Sequence, residues 1–315
     1  MRLKIALYIL IIASAGVVLG EKAWASDKSL GKSDVYINPY PVQIVGFSGS
    51  EMEPFISLDG KFLFFNDDEN PRTHGKTIYY ATRTGLTTFQ YIGELPGVNT
   101  HASNKLEAVP SVDLLGRFYF TSTRQFDKDG HSIFVGRFDG REVTDVHVVG
   151  GDISPAPNSG WINMDASISP DGDTLFISRT HFELLSLIIG APSESHILVA
   201  HRHDNDFVLD KDGAAILRNV NTGLEYAPDI SADSLEIYFN RGPHILVASR
   251  NRTDQPFGVP CVIEAIDGFV EGASISLDKS EMFFHKKVGD SYAIFRAERN
   301  PNWSSVACDA SPAAP

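Results

Sequence analysis

Cysteine is scarce in this 315-residue sequence, which has two, Cys261 and Cys308. At most one internal disulfide can form. The pair either bridges in an oxidising compartment or stands as two separate buried thiols. Positive charge is also short: 27 Lys and Arg face 40 Asp and Glu, a formal net charge of −13. Such a surface repels nucleic acid and anionic lipid, which argues against a nucleic-acid partner and leaves cations, sugars and basic partners open. Past Gly20 no apolar run approaches the ~20 residues that a spanning helix needs. There is no H-E-x-x-H and no close Cys/His spacing, so no metal or other cofactor is expected. A G-x-S-x-G elbow is missing too, which argues against a serine hydrolase. "NDDENPRTHG", from Asn66, crowds three acids into a loop without the D-x-D-x-D-G register of a calcium hand. No long amphipathic helical period appears anywhere.

The one apolar run lies at the start. Arg2 and Lys4 precede an uncharged stretch, Ile5 to Gly20, and Ala23-Trp24-Ala25 follows as a small-x-small cleavage signal. Residues 1–25 therefore read as a signal peptide, with an uncleaved anchor as the alternative. The domain plan is a flexible stretch over 26–34, a folded body over 35–308 and a disordered tail over 309–315. The expected location is periplasmic or secreted, with no membrane span after processing.

What is present is a repeat. "EPFISLDGKFLFFN" from Glu53 returns as "VPSVDLLGRFYFTS" from Val109, "DASISPDGDTLFIS" from Asp165, "APDISADSLEIYFN" from Ala227 and "GASISLDKSEMFFH" from Gly272. The central polar residues Ser57, Asp113, Ser169, Ser231 and Ser276 stand 56, 56, 62 and 45 positions apart. Each copy reads as a strand, a tight turn and a second, aromatic-rich strand. A third strand follows, such as "TIYYATR", and then a weaker fourth. Four antiparallel strands per unit, repeated five times, spell an all-β fold, a β-propeller of four-stranded antiparallel blades. Five blades are expected, with six as the alternative. "PVQIVGF", Pro41 to Phe47, precedes the first hairpin, while the fifth unit ends soon after its third strand. The N-terminal strand is expected to complete the last blade and close the ring.

These residues resemble the WD40-like repeat of TolB-type periplasmic propellers, in the pattern (acid)-x-P-x-hydrophobic-S-x-D-G followed by a strand like "IYYATR". The segment around Pro256-Phe257-Gly258 is similar to a blade junction in that family. The likeness covers roughly residues 35–300. It implies a binding or scaffold propeller of the cell envelope.

Propellers bind around the channel mouth, where first strands begin and second strands end. Glu51, Glu107 and Glu225 share one repeat position, which Asn163 fills in the third unit; Glu53, Asp165 and Glu271 stand within two residues of it. After the second strands come Asp67, Arg124, Arg179, Arg241 and Lys286. The expected ligand-binding set is Glu51, Glu53, Glu107, Asp165, Glu225, Glu271, Arg179 and Arg241. The competing reading makes repeat-position acids structural, as caps or partners of arginine. An apolar insertion, Thr180 to Ser195 with Leu184 to Ile189 at its centre, suggests a contact surface or lid. The main functional expectation is a non-catalytic, monomeric propeller that binds an envelope protein, peptide or glycan. The alternative is a glycoside hydrolase-like enzyme with Glu53, Asp165 and Glu225 as its carboxylates.

Overall fold

Local turn chemistry explains why the pattern recurs. In the first copy the Ser57 hydroxyl donates to Asp59 Oδ1 at 2.7 Å and accepts the Phe62 N–H at 2.9 Å, bracing the hairpin from inside. Ser169, Ser231 and Ser276 repeat the arrangement with Asp171, Asp233 and Asp278. In the second copy a carboxylate replaces the hydroxyl: Asp113 Oδ1 accepts the N–H of Leu115 and of Arg117, each at 2.9 Å. The variation at this position is therefore chemically conservative.

The computed structural model describes residues 30–68, 75–103, 105–182 and 192–303. The signal segment, Cys308, the tail and residues 183–191 of the apolar insertion lie outside them. Five mainly antiparallel sheets follow one another round a ring. Blade 1 takes Met52–Ile56, Phe62–Asn66, Ile78–Arg83 and Thr88–Glu94. Blade 2 takes Glu107–Val112, Arg117–Ser122, Ile133–Phe138 and Val143–Val148. Blade 3 takes Trp161–Ile168, Thr174–His181, Glu194–His203 and Asp206–Leu209, and blade 4 takes Glu225–Ile230, Glu236–Arg241, His244–Ser249 and Cys261–Ile263. Blade 5 takes Val270–Ile275, Glu281–Val288 and Ser291–Arg299. Cys261 is buried and disulfide-bonded.

The second strands hold the ring together. A strand buried on both faces reads as a continuous apolar run, and successive side chains go to opposite faces. Phe118 and Phe120 pack toward blade 1 against Phe55 and Phe64, whereas Tyr119 between them packs toward blade 3 against Leu175 and Ile177. Ile237 and Phe239 face blade 3, and Tyr238 faces blade 5. Phe283 reaches blade 1, where it joins Leu63, Phe65 and Phe89. Each junction thus has its own apolar core. A fully buried aromatic there is worth ~1.5–3 kcal/mol.

Closure is made by the N-terminal segment, as expected. The strand that completes blade 5 is Tyr36–Pro41, antiparallel to Ser291–Arg299 with Tyr36 opposite Arg299. That lies just upstream of the expected Pro41 to Phe47, from which Gln43–Val45 instead adds in parallel to the outer strand of blade 1. Gly31–Ser33, within the stretch read as flexible, pairs in parallel with Cys261–Ile263 of blade 4. One short segment thereby spans three blades. Ion pairs reinforce the same junctions: Arg83 of blade 1 grips Glu281 of blade 5 at 2.6 and 2.8 Å. Arg299 of blade 5 grips Glu236 of blade 4 at 2.7 and 2.8 Å.

Candidate active site

The first strands are not regular. In blades 1, 2, 4 and 5 the pairing with the second strand slips after its first residues. The bulge residue takes a left-handed backbone: Glu53 at φ 49°, Val109 at 54°, Ala227 at 47° and Gly272 at 67°. Such a conformation costs ~1–3 kcal/mol in a non-glycine residue, so the surroundings must hold it. The holding bond comes from the preceding blade. The Val109 N–H donates to Asn66 Oδ1 at 3.2 Å and the Gly272 N–H to Asn240 Oδ1 at 3.1 Å. The Glu53 N–H donates to His285 Nδ1 at 3.0 Å, and the Ala227 N–H to Asp165 Oδ2 at 3.0 Å. Gly272 has a further reason to be glycine, since a Cβ there would stand 3.2 Å from Glu53 Cα.

The bulge position also carries carboxylates. Counted from the central polar residue, Glu53 and Asp165 occupy it in blades 1 and 3, while blades 2, 4 and 5 have Val109, Ala227 and Gly272. Glu271, one residue earlier, brings a third carboxylate from blade 5. All three converge electrostatically. Burial, then the negative charges of Glu53 and Glu271, push the Asp165 carboxyl up to about 7. Glu271 accepts the Tyr226 hydroxyl on Oε1 at 2.5 Å, and its Oε2 lies 3.2 Å from His285 Nε2. Because His285 Nδ1 accepts the Glu53 N–H, the ring proton sits on Nε2 and donates to Glu271. Lys76, itself buried, sits 3.4 Å from Glu53 Oε1. Burial works to lower its pKa, but the charges of Glu53, Asp68 and Glu271 win and the net shift is upward. The other carboxylate oxygen, Glu53 Oε2, is buried without a hydrogen-bond partner among the described residues. Tyr292 stands beside the cluster, its ring centroid 5.4 Å from that of His285. Its phenol is pushed up by burial and then by the charges of Glu271, Asp68 and Glu53.

Of the remaining expected residues, all but Glu51 are engaged inside their own blades. Glu225 accepts Arg241 Nε at 2.8 Å, and Arg241 Nη2 reaches on to the Val220 carbonyl at 3.0 Å. Glu107 accepts Arg124 Nη2 at 3.1 Å and the Ser122 hydroxyl at 2.9 Å, while Arg124 also binds the Val98 carbonyl. Arg179 pairs with Asn163 Oδ1 at 2.9 Å and with the Ile153 carbonyl. In three blades, then, one arginine ties the start of the first strand to the segment arriving from the previous blade. Burial raises the pKa of Glu225 even against Arg241. Glu51 accepts the Ile294 N–H at 3.1 Å and is likewise raised by burial. Among the described residues no group of three or more His, Cys, Asp or Glu is placed to hold a metal ion.

Sequence reasoning missed Lys76, Tyr226, His285 and Tyr292. Two signals were available. His285 stands where other copies have Asn66, Ser122, Ser178 and Asn240, and the acids of blades 1 and 3 stand where the others have none.

No family model matches the chain, and no curated protein matches it in sequence. Its fold is similar to that of solved structures. Zg3597, a family 117 glycoside hydrolase from Zobellia galactanivorans, is 11% identical with a TM-score of 0.57, over 84% of this chain and 91% of that one. An endo-arabinase from Bacteroides thetaiotaomicron is 14% identical with a TM-score of 0.51, over 83% of this chain and 97% of that one. TolB from Acinetobacter baumannii is 16% identical with a TM-score of 0.43, over 80% of this chain and 55% of that one. At these identities the likeness is one of fold: a β-propeller.

Proposed function

We propose that the protein is a glycoside hydrolase-like enzyme that works at the channel mouth with Glu53, Asp165 and Glu271. The carrying observation is the convergence of three carboxylates from three blades at positions that break the repeat. Glu107 and Glu225 keep to a repeat, as structural residues do, whereas these three acids depart from it. Glu271 replaces Glu225 in the trio expected from sequence, because Glu225 is committed to Arg241. The named glycoside hydrolases among the fold neighbours add support by analogy.

The environments separate the roles. Asp165, with its pKa raised to about 7, keeps a proton near neutral pH and can give it to a departing glycosidic oxygen. Glu53 keeps an oxygen without a partner among the described residues and serves as nucleophile at the sugar carbon or as base toward water. Glu271, held by two donors, is the fixed negative charge that steadies the cationic transition state and sustains the Asp165 proton. Residues 1–25 would deliver this activity to the periplasm or medium, where a glycan is the partner.

The test is a hydrolysis screen over aryl glycosides and polysaccharides with the wild type, Glu53→Gln, Asp165→Asn and Glu271→Gln. Turnover by the wild type with losses of at least about 100-fold in each variant, all three melting normally, supports the proposal. Glycan binding by the wild type with no turnover of any member would return the site to a binding role.

A further inference from the structure

We infer that this site takes a neutral sugar and rejects sugars bearing a carboxylate or sulfate; the inference rests on the hydrolase proposal above and names its substrate class. Two independent observations carry it. The first is the balance of charge. Glu53 and Glu271 both act electrostatically on Asp165, and among the described residues Lys76 is the ammonium that Glu53 and Glu271 share. That ammonium is already engaged with Glu53 at 3.4 Å. Among the described residues, the arginines that follow the second strands of blades 2, 3 and 4 are tied down as well, Arg124 on Glu107, Arg179 on Asn163 and Arg241 on Glu225. His285 spends both ring nitrogens within the cluster. An acidic substituent on the sugar would meet like charges in a partly buried site, with no cation among the described residues left to receive it.

The second observation concerns donors and acceptors. Glu53 Oε2 is a buried acceptor without a partner among the described residues, and a buried group in that state is satisfied by whatever donor binds. Sugar hydroxyls are donors. A carboxylate or sulfate group is acceptor-only at neutral pH and has nothing to give. The Tyr226 hydroxyl, a donor close to the trio, already points its proton at Glu271. The site is thus rich in acceptors and asks for a ligand rich in hydroxyls.

Matched chromogenic glycosides that differ at C6 test this, glucoside against glucuronide and galactoside against galacturonide, with the intact protein. The expected result is a kcat/KM at least about 100-fold higher for the neutral member of the pair that is turned over. A uronide preferred to its neutral partner would overturn the inference while leaving the hydrolase proposal standing. If no glycoside is cleaved, the hydrolase proposal fails and affinity electrophoresis decides the inference separately. Retardation by neutral galactan but not by polygalacturonate would uphold it; retardation by polygalacturonate, or by neither, would overturn it.

Discussion

The backbone N–H of Glu53 on blade 1 donates to Nδ1 of His285 on blade 5, 3.0 Å away across the seam of the ring. The same bond joins other blades through Asn66 and Asn240, so the fold needs an acceptor at this position. It does not need an imidazole. The imidazole adds a second bond, to Glu271. His285→Asn should therefore keep the melting temperature within a few degrees and still lose turnover or ligand affinity. His285→Ala should lose both, since it leaves a buried N–H unpaired at a cost of ~1–3 kcal/mol. Thermal melts beside an activity or binding assay separate the two cases, and an Asn variant that unfolds would count against the division of labour.

Glu107 and Glu225 should respond to Gln as structural residues do. Each is buried against an arginine that is itself mostly buried. Losing the charge should destabilise by about 2–4 kcal/mol, somewhat under the figure for a wholly broken buried pair because Gln retains an acceptor. Glu53→Gln should cost less than either, because the weakened pair with Lys76, 3.4 Å long, is partly offset by relief of the repulsion with Asp165. Urea unfolding midpoints of the three variants check the contrast; equal losses in all three would erase it.

Asp229 supplies a pH test away from the site. Burial, opposed by the Ser167 hydroxyl and the Ile275 N–H, pushes its pKa up to about 7. A raised native pKa means that the folded state holds a proton that the unfolded chain releases near pH 4. Its contribution to stability is complete below that value and is lost as pH rises through about 7. Asp229→Asn stays neutral throughout. Its stability relative to wild type should climb between pH 5 and pH 8, at roughly 1.4 kcal/mol per unit of pKa shift as an upper bound. Melting curves across that range check it, and a flat difference would mean that Asp229 ionises as freely in the folded chain as in the unfolded one.

Tyr36 tests closure. It is fully buried, edge-on to Tyr238 at 5.8 Å, and its hydroxyl donates to the Lys279 carbonyl at 2.9 Å. Tyr36→Ala should cost ~3–5 kcal/mol, in the range of large aromatic truncations. The loss should appear as one cooperative transition at lower temperature, because the strand it anchors belongs to the last blade and its neighbours depend on it. A separate early transition would mean that blade 5 unfolds on its own.

The architecture was legible because its signal is local. Ser57 and Asp59 lie two residues apart and bond to each other, so selection writes the same pair into almost every hairpin. The closing strand was harder to place. "YINPYP" carries two prolines and holds Asn38 in a left-handed conformation, and it pairs with residues at the far end of the chain. The acids were visible as a class, yet Glu107 and Glu53 look alike in the sequence. What separates them is the arginine beside one and the bulge beneath the other. Lys76, Tyr226 and His285 come from three different blades, and their meeting is a property of the ring. No spacing along the chain encodes it.

The N-terminal segment that spans three blades also sets an order of events. Asn38 bonds to Glu298 across 260 positions of chain, so the strand Tyr36–Pro41 has no partner strand until Ser291–Arg299 has been made. Contacts of such long range are slow to form, and the blades made in between must wait with an open edge at each end of the row. Closing the ring is consequently a late step, taken only when blade 5 exists to meet the segment that precedes blade 1.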